Sequence, residues 1–207
     1  MAIVARILEN TTAVAVTARP PLKTPEPTAV FALFAPEEQS GARFFDDPAL
    51  GVRSFTLPAL DLRLIFEPTR VRLEAMAPKP VDVLPLGTRL ATVVAAVYPN
   101  VSFPRYGFNY DRTFQYDAVI PQRHIMEAFM DAEAVNAMTH FGWQCTLQKE
   151  KGKRKETYFF KVVSPLEIRI LANIEFDRVL PEAGKCQTEF VQCADDAMHI
   201  VERLRFS

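Results

Sequence analysis

The chain has 207 residues, 49% of them hydrophobic and 24% charged, with a formal net charge of -1. That length and apolar content can bury a core without help from a disulfide or a metal. The near-neutral balance excludes a protein whose whole surface grips nucleic acid or anionic lipid, so any such contact must be local.

Cys145, Cys186 and Cys193 form neither an even framework nor a CxxC pair, which predicts packed thiols in a reducing compartment. Glu9 interrupts an apolar run too short for a secretory signal, and no segment approaches the roughly 18 apolar residues of a membrane span. The expected location is cytoplasmic, away from membranes.

Prolines crowd the first part of the chain, where only short strands, turns and pinned loops are expected; only Pro165 and Pro181 lie beyond position 121. Ile3–Leu8 and Ala13–Ala18 flank Glu-Asn-Thr-Thr and read as a strand pair, followed by a proline-rich connector to Pro27. Ala29–Phe34 reads as a buried strand, and the stretch from Pro36 to Gly51 as a surface loop. Leu60–Phe66 and Val71–Ala75 both alternate apolar with charged residues around Glu67-Pro68-Thr69. This predicts an antiparallel hairpin with Leu62, Leu64 and Leu73 inward.

Leu86, Leu90, Val93, Val94 and Val97 form one helical stripe, stopped by Pro99. Arg105–Tyr116 alternates again. A helix from Pro121 carries Ile125, Met126, Phe129 and Met130, restarts or extends from Asp131 through Val135 and Met138, and ends at Gly142. Trp143–Gln148 and Thr157–Val163 flank a basic turn as a second hairpin, Glu167–Phe176 is a further strand, and a helix runs from about Glu189 to Leu204.

Strands and helices mix without a βαβ rhythm. The expected fold is therefore a single α+β domain over 1–207: a largely antiparallel sheet of β-hairpins with three or four helices packed on it. Composition changes near 117–121, where a soft seam could divide two lobes, and no sequence repeat is visible.

On a strand, Tyr106, Phe108, Tyr110, Phe114 and Tyr116 share one face. That face is either a core wall, an anchor surface for a protein partner, or a platform for stacked bases. Phe108 and Phe114 are expected inside, with the three tyrosines nearer the surface and available to a partner. Lys149, Lys151, Lys153, Arg154 and Lys155 crowd a turn that is either a phosphate-reading finger or a solvated tip.

His124, His140 and His199 lack metal-ligand spacing, and no metal or cofactor is expected. GxSxG, HExxH, GxGxxG and GxxxxGK[ST] are all absent, so catalysis would need an unfamiliar design acting through His124 or Cys145.

Leu64-Ile-Phe-Glu-Pro-Thr-Arg-Val-Arg-Leu-Glu74, Arg105-Tyr-Gly-Phe-Asn-Tyr110 and the terminal Asp195-Asp-Ala-Met-His-Ile-Val-Glu-Arg-Leu-Arg-Phe206 together resemble a family of sporadically distributed, uncharacterised bacterial proteins. The resemblance implies the same α+β order and no particular activity. The first functional expectation is a non-catalytic adaptor or subunit binding a protein partner. The alternatives are an accessory nucleic-acid-binding protein and an enzyme without a familiar motif.

Overall fold

A computed structural model describes residues 2–17, 22–128, 130–137 and 141–204. The element order is β1 (Ile3–Val16), α1 (Pro27–Phe31), β2 (Arg43–Asp47), β3 (Val52–Leu57), β4 (Leu62–Glu67), β5 (Arg70–Ala75), α2 (Leu86–Val97) and β6 (Arg105–Tyr116). There follow α3 (Gln122–Glu127), α4 (Ala132–Ala137), β7 (Gly142–Lys149), β8 (Arg154–Ser164), β9 (Glu167–Phe176) and α5 (Ala183–Glu202). All nine strands join one antiparallel sheet in the order β2-β3-β4-β5-β1-β6-β9-β8-β7, which is open rather than closed into a barrel. This is the α+β fold expected.

The double alternation of β4 and β5 becomes a hairpin in which Leu64 faces Leu73 and Leu62 faces Ala75, all of them buried. A one-residue slip would turn these side chains to water, which fixes the register. The helical stripe of α2 is also as expected, burying Leu86, Leu90, Ala91, Val93 and Val94 over β1 and β5. β1 places Ala13 and Ala15 beneath it, small enough to let the helix approach.

Several local readings are corrected. The two apolar runs at the start form one strand rather than a pair, because Thr11 and Thr12 continue the extended backbone and the Leu8–Asn10 irregularity is absorbed as a bulge against β6. Ala29–Phe34 is not a strand: Pro27 opens a helix, and the four-residue spacing of Val30 and Phe34 buries both. The supposed loop from Pro36 to Gly51 contains the edge strand β2, while β3 was not anticipated at all. The helix expected from Pro121 is two short ones, with Phe129 and Met138 outside the described residues, and Gly142 opens β7 instead of ending a helix.

The last helix begins at Ala183, six residues before the expected start, since Cys186 belongs to its buried stripe with Phe190, Cys193, Ala194, Ala197 and Val201. Glu182 caps it by accepting a hydrogen bond from the Lys185 backbone N–H. The start of α2 lacks a cap of its own and borrows one from α5. Gln187 accepts from the Thr88 N–H at 3.2 Å and donates to the Leu84 carbonyl at 2.8 Å. Gly87 permits this meeting: a Cβ there would stand 2.6 Å from the Cys186 carbonyl oxygen.

The topology repeats although the sequence does not. Each half runs from a long strand through short helical turns into a three-strand meander and then a helix, β1 to α2 and β6 to α5, with β2 as an addition to the first. The long strands β1 and β6 pair antiparallel at the middle, and β6 pairs in turn with β9, so the sheet continues across the segment 117–121.

Candidate functional site

The five aromatic side chains of β6 do not form an outer surface. All five are buried, Tyr116 the most accessible at 5%, and β6 lies beneath α5. Tyr106 stacks on Phe176 with centroids 4.7 Å apart, and Phe108 meets Phe190 edge to face at 5.4 Å. The expected split between buried phenylalanines and half-wet tyrosines is absent because phenol groups find partners inside. Tyr110 donates to the Phe190 carbonyl at 2.5 Å; Tyr106 donates to Glu189 and accepts from Arg178 Nε at 3.0 Å. Burial pushes both phenols above the ordinary tyrosine range, assisted at Tyr106 by the Glu189 carboxylate. These rings are a core wall, so the partner-contact assignment of Tyr106, Phe108, Tyr110, Phe114 and Tyr116 is corrected.

The basic turn is likewise not one free finger. Even-numbered residues of β8 face α5, which carries Arg154 and Glu156 inward with Tyr158. Arg154 and Lys149 stand 2.7 and 2.9 Å from Glu156 Oε1, close as charges though not aligned as hydrogen bonds. Tyr158 donates to the other carboxylate oxygen at 2.8 Å, and Arg154 also pairs with Asp196 of α5. Burial opposes ionisation of Asp196, yet hydrogen bonds from Gln192 and Arg154 outweigh it and hold the carboxyl below its usual range. Arg154 is thus committed to holding α5 and Lys149 to Glu156 beneath it, which corrects their place among nucleic-acid contacts. Lys151, Lys153 and Lys155 remain outward.

The tip turns through Glu150, Lys151 and Gly152, all with positive φ. Arg178 braces it by donating to Glu150 at 2.8 Å, and the Asp177 N–H reaches the Lys153 carbonyl at 2.8 Å.

His124 and His199 are exposed on α3 and α5, and His140 lies outside the described residues. His199 Nδ1 is 2.9 Å from the Asp195 carbonyl of its own helix. Cys186 and Cys193 are buried in α5, where burial pushes both thiols up to about 12; Cys145, on β7, is half-buried and raised for the same reason. Among the described residues no group of three or more His, Cys, Asp or Glu side chains gathers as metal ligands.

Helices leave the other face of the sheet open, and of the charged residues that line its concavity the sequence singles out only Lys153 and Lys155. The concavity, of about 670 Å³, lies at the end where β1 and β9 finish and β6 and β8 begin. Arg70 comes from the β4–β5 turn, Lys153 and Lys155 from the β7–β8 tip, and Arg105 from the start of β6. Asn109 and Asn173, directly opposed in register, line it with Gly107. Glu175 and Asp177 supply the acidic groups. Farther along this face Phe159 and Leu171 oppose each other, 43% and 40% exposed.

A second, apolar groove of about 740 Å³ lies on the helix side, between the C-terminal half of α2 and the segment 179–183. No helix among the described residues is long and apolar enough to cross a membrane. No family model matches the chain, and no curated protein matches it.

Proposed function

We propose that the protein is a non-catalytic interaction protein, an adaptor or subunit of a bacterial cytoplasmic assembly, that holds a protein partner on the open face of its sheet. The observation that carries this reading is the one-sided cover. α2 and α5 lie on one face of the sheet, over its central strands, while the other presents the exposed Phe159–Leu171 pair beside polar residues and the concavity. An apolar centre with a polar rim is the anatomy of a protein interface. The free thiols and the resemblance to bacterial proteins support the compartment and source.

The test is affinity capture with the intact chain and with the double variant Phe159→Arg/Leu171→Arg. Both side chains are exposed, so the fold should survive. A partner retained by the native chain and lost by the variant supports the reading; a partner retained equally by both overturns it.

A second reading, nucleic-acid binding, draws on the gathering of Arg70, Arg105, Lys153 and Lys155 in one concavity. Its signature would be affinity for an oligonucleotide that falls steeply with salt.

A further inference from the structure

We propose that the concavity on the open face takes a carboxylate-rich, extended segment of a partner protein. This rests on the reading of that face as a protein-binding surface and specifies the chemistry of what binds.

Charges on the open face are unequally compensated. Outside the concavity several cations have an acid within reach: Arg63 with Glu74, Arg72 with Glu67 and Glu74, Arg169 bidentate with Asp111. In the concavity, Arg70 is paired with Glu67, and Lys155 stands a loose 3.7 Å from Glu175. Arg105 and Lys153 are exposed and have neither an ion pair nor a side-chain hydrogen bond within the described residues. Two cations without an ion pair among the described residues therefore line one trough, one on a strand and one beside a braced turn.

The floor is bare at Gly107. Gly107 carries no side chain, and a Cβ there would stand 2.6 Å from the Ile174 carbonyl oxygen, so none can fill the space. The Asn109 and Asn173 carboxamides flank it, each offering a donor and an acceptor to peptide N–H and C=O groups.

The same walls disfavour a nucleic-acid strand. Every nucleotide of a nucleic-acid strand carries a phosphate charge, and some of these would lie against Glu175 and Asp177. Tyr106 and Phe176 reach the concavity but are buried and stacked on each other, so no open ring is offered to a base. An extended peptide places same-side residues about 7 Å apart. Its carboxylates can meet Arg105 and Lys153 while its amides turn toward the acids and asparagines.

The experiment is fluorescence anisotropy on the intact chain, titrated against a labelled peptide of alternating Glu and Ser, its Lys-and-Ser counterpart, and a single-stranded oligonucleotide of equal charge. The acidic peptide should bind alone. Arg105→Glu and Lys153→Glu should each weaken it by at least about tenfold, a factor equivalent to about 1.4 kcal/mol; Lys151→Glu, on the tip but outside the trough, should leave it within about twofold, as a peripheral charge does. Arg105→Gln serves as a milder variant, and thermal melts verify folding of each. No binding of the acidic peptide, tighter binding of the oligonucleotide, or equal loss from Lys151→Glu would overturn the proposal. A captured partner lost with the Phe159/Leu171 variant yet indifferent to Arg105→Glu would overturn the acidic-segment proposal while leaving the protein-binding face intact.

Discussion

The two halves of the sheet share a topology and seat their helices by different physics. α2 is held by an apolar stripe over small residues of β1, and its side of the molecule buries no charged side chain among the described residues. α5 buries a stripe in which cysteines and alanines outnumber large side chains. Its position is fixed instead by Arg154, Glu156, Tyr158 and Asp196, and by the Tyr106–Glu189–Arg178 set. Apolar packing is tolerant of small slides, whereas hydrogen-bonded charges accept few positions. The comparison teaches that a helix with a modest apolar face can be placed accurately when its polar groups have partners below.

The comparison breaks first at Glu156. Glu156→Ala leaves buried Arg154 with Asp196 as its remaining acid and Tyr158 without its acceptor, and should cost about 3–5 kcal/mol, the loss expected when one member of a buried charged set is removed. Leu90→Ala, in the apolar half, should cost about 2–5 kcal/mol through the cavity it opens. What separates them is the remedy. Replacing Arg154 and Glu156 together by Met and Leu should recover stability in urea melts; failure to recover it would deny that the charges chiefly fix position.

A smaller effect is expected where the helices meet. Gly87→Ala puts a methyl group against the Cys186 backbone and should cost about 1–3 kcal/mol, as overpacking does. A neutral result in the same melts would mean that the helices separate without penalty.

The smallest effect sharpens the contrast through pH. The carboxyl of Asp196 is depressed in the folded chain, so its contribution is present above the ordinary carboxyl range and is lost as pH falls through the folded value. Asp196→Asn should flatten the acid limb of stability against pH. An unchanged limb would remove Asp196 from the acid response.

What the sequence made legible follows from these same forces. Period two in β4, β5, β6 and β9 and the stripe of α2 reflect faces whose burial is set locally. β2 escaped because it is an edge strand with no buried side chain, and the first turn of α5 escaped because Ala183, Gly184 and Lys185 carry no apolar period. Alternation in β6 showed that its rings share a face but not which element covers that face, since α5 arrives from far along the chain. One signal was present and unread. Arg154 and Glu156 share even positions with Tyr158 and Phe160, which places them on the aromatic side of β8. The concavity was invisible because its walls come from five segments far apart in the chain, around positions 14–16, 70, 105–109, 148–155 and 173–177.

The central place of β1 has a further consequence, one of timing. During synthesis β1 precedes both of its neighbours, and it finds β5 first, through pairs such as Thr12 with Glu74. Its other edge waits for β6, and the Arg6–Glu202 contact closes across a separation of 196 residues. Such distant pairings are entropically slow to close. Until β6 leaves the ribosome, the growing chain carries a bare, strand-long edge, which is the kind of edge through which unfinished chains associate.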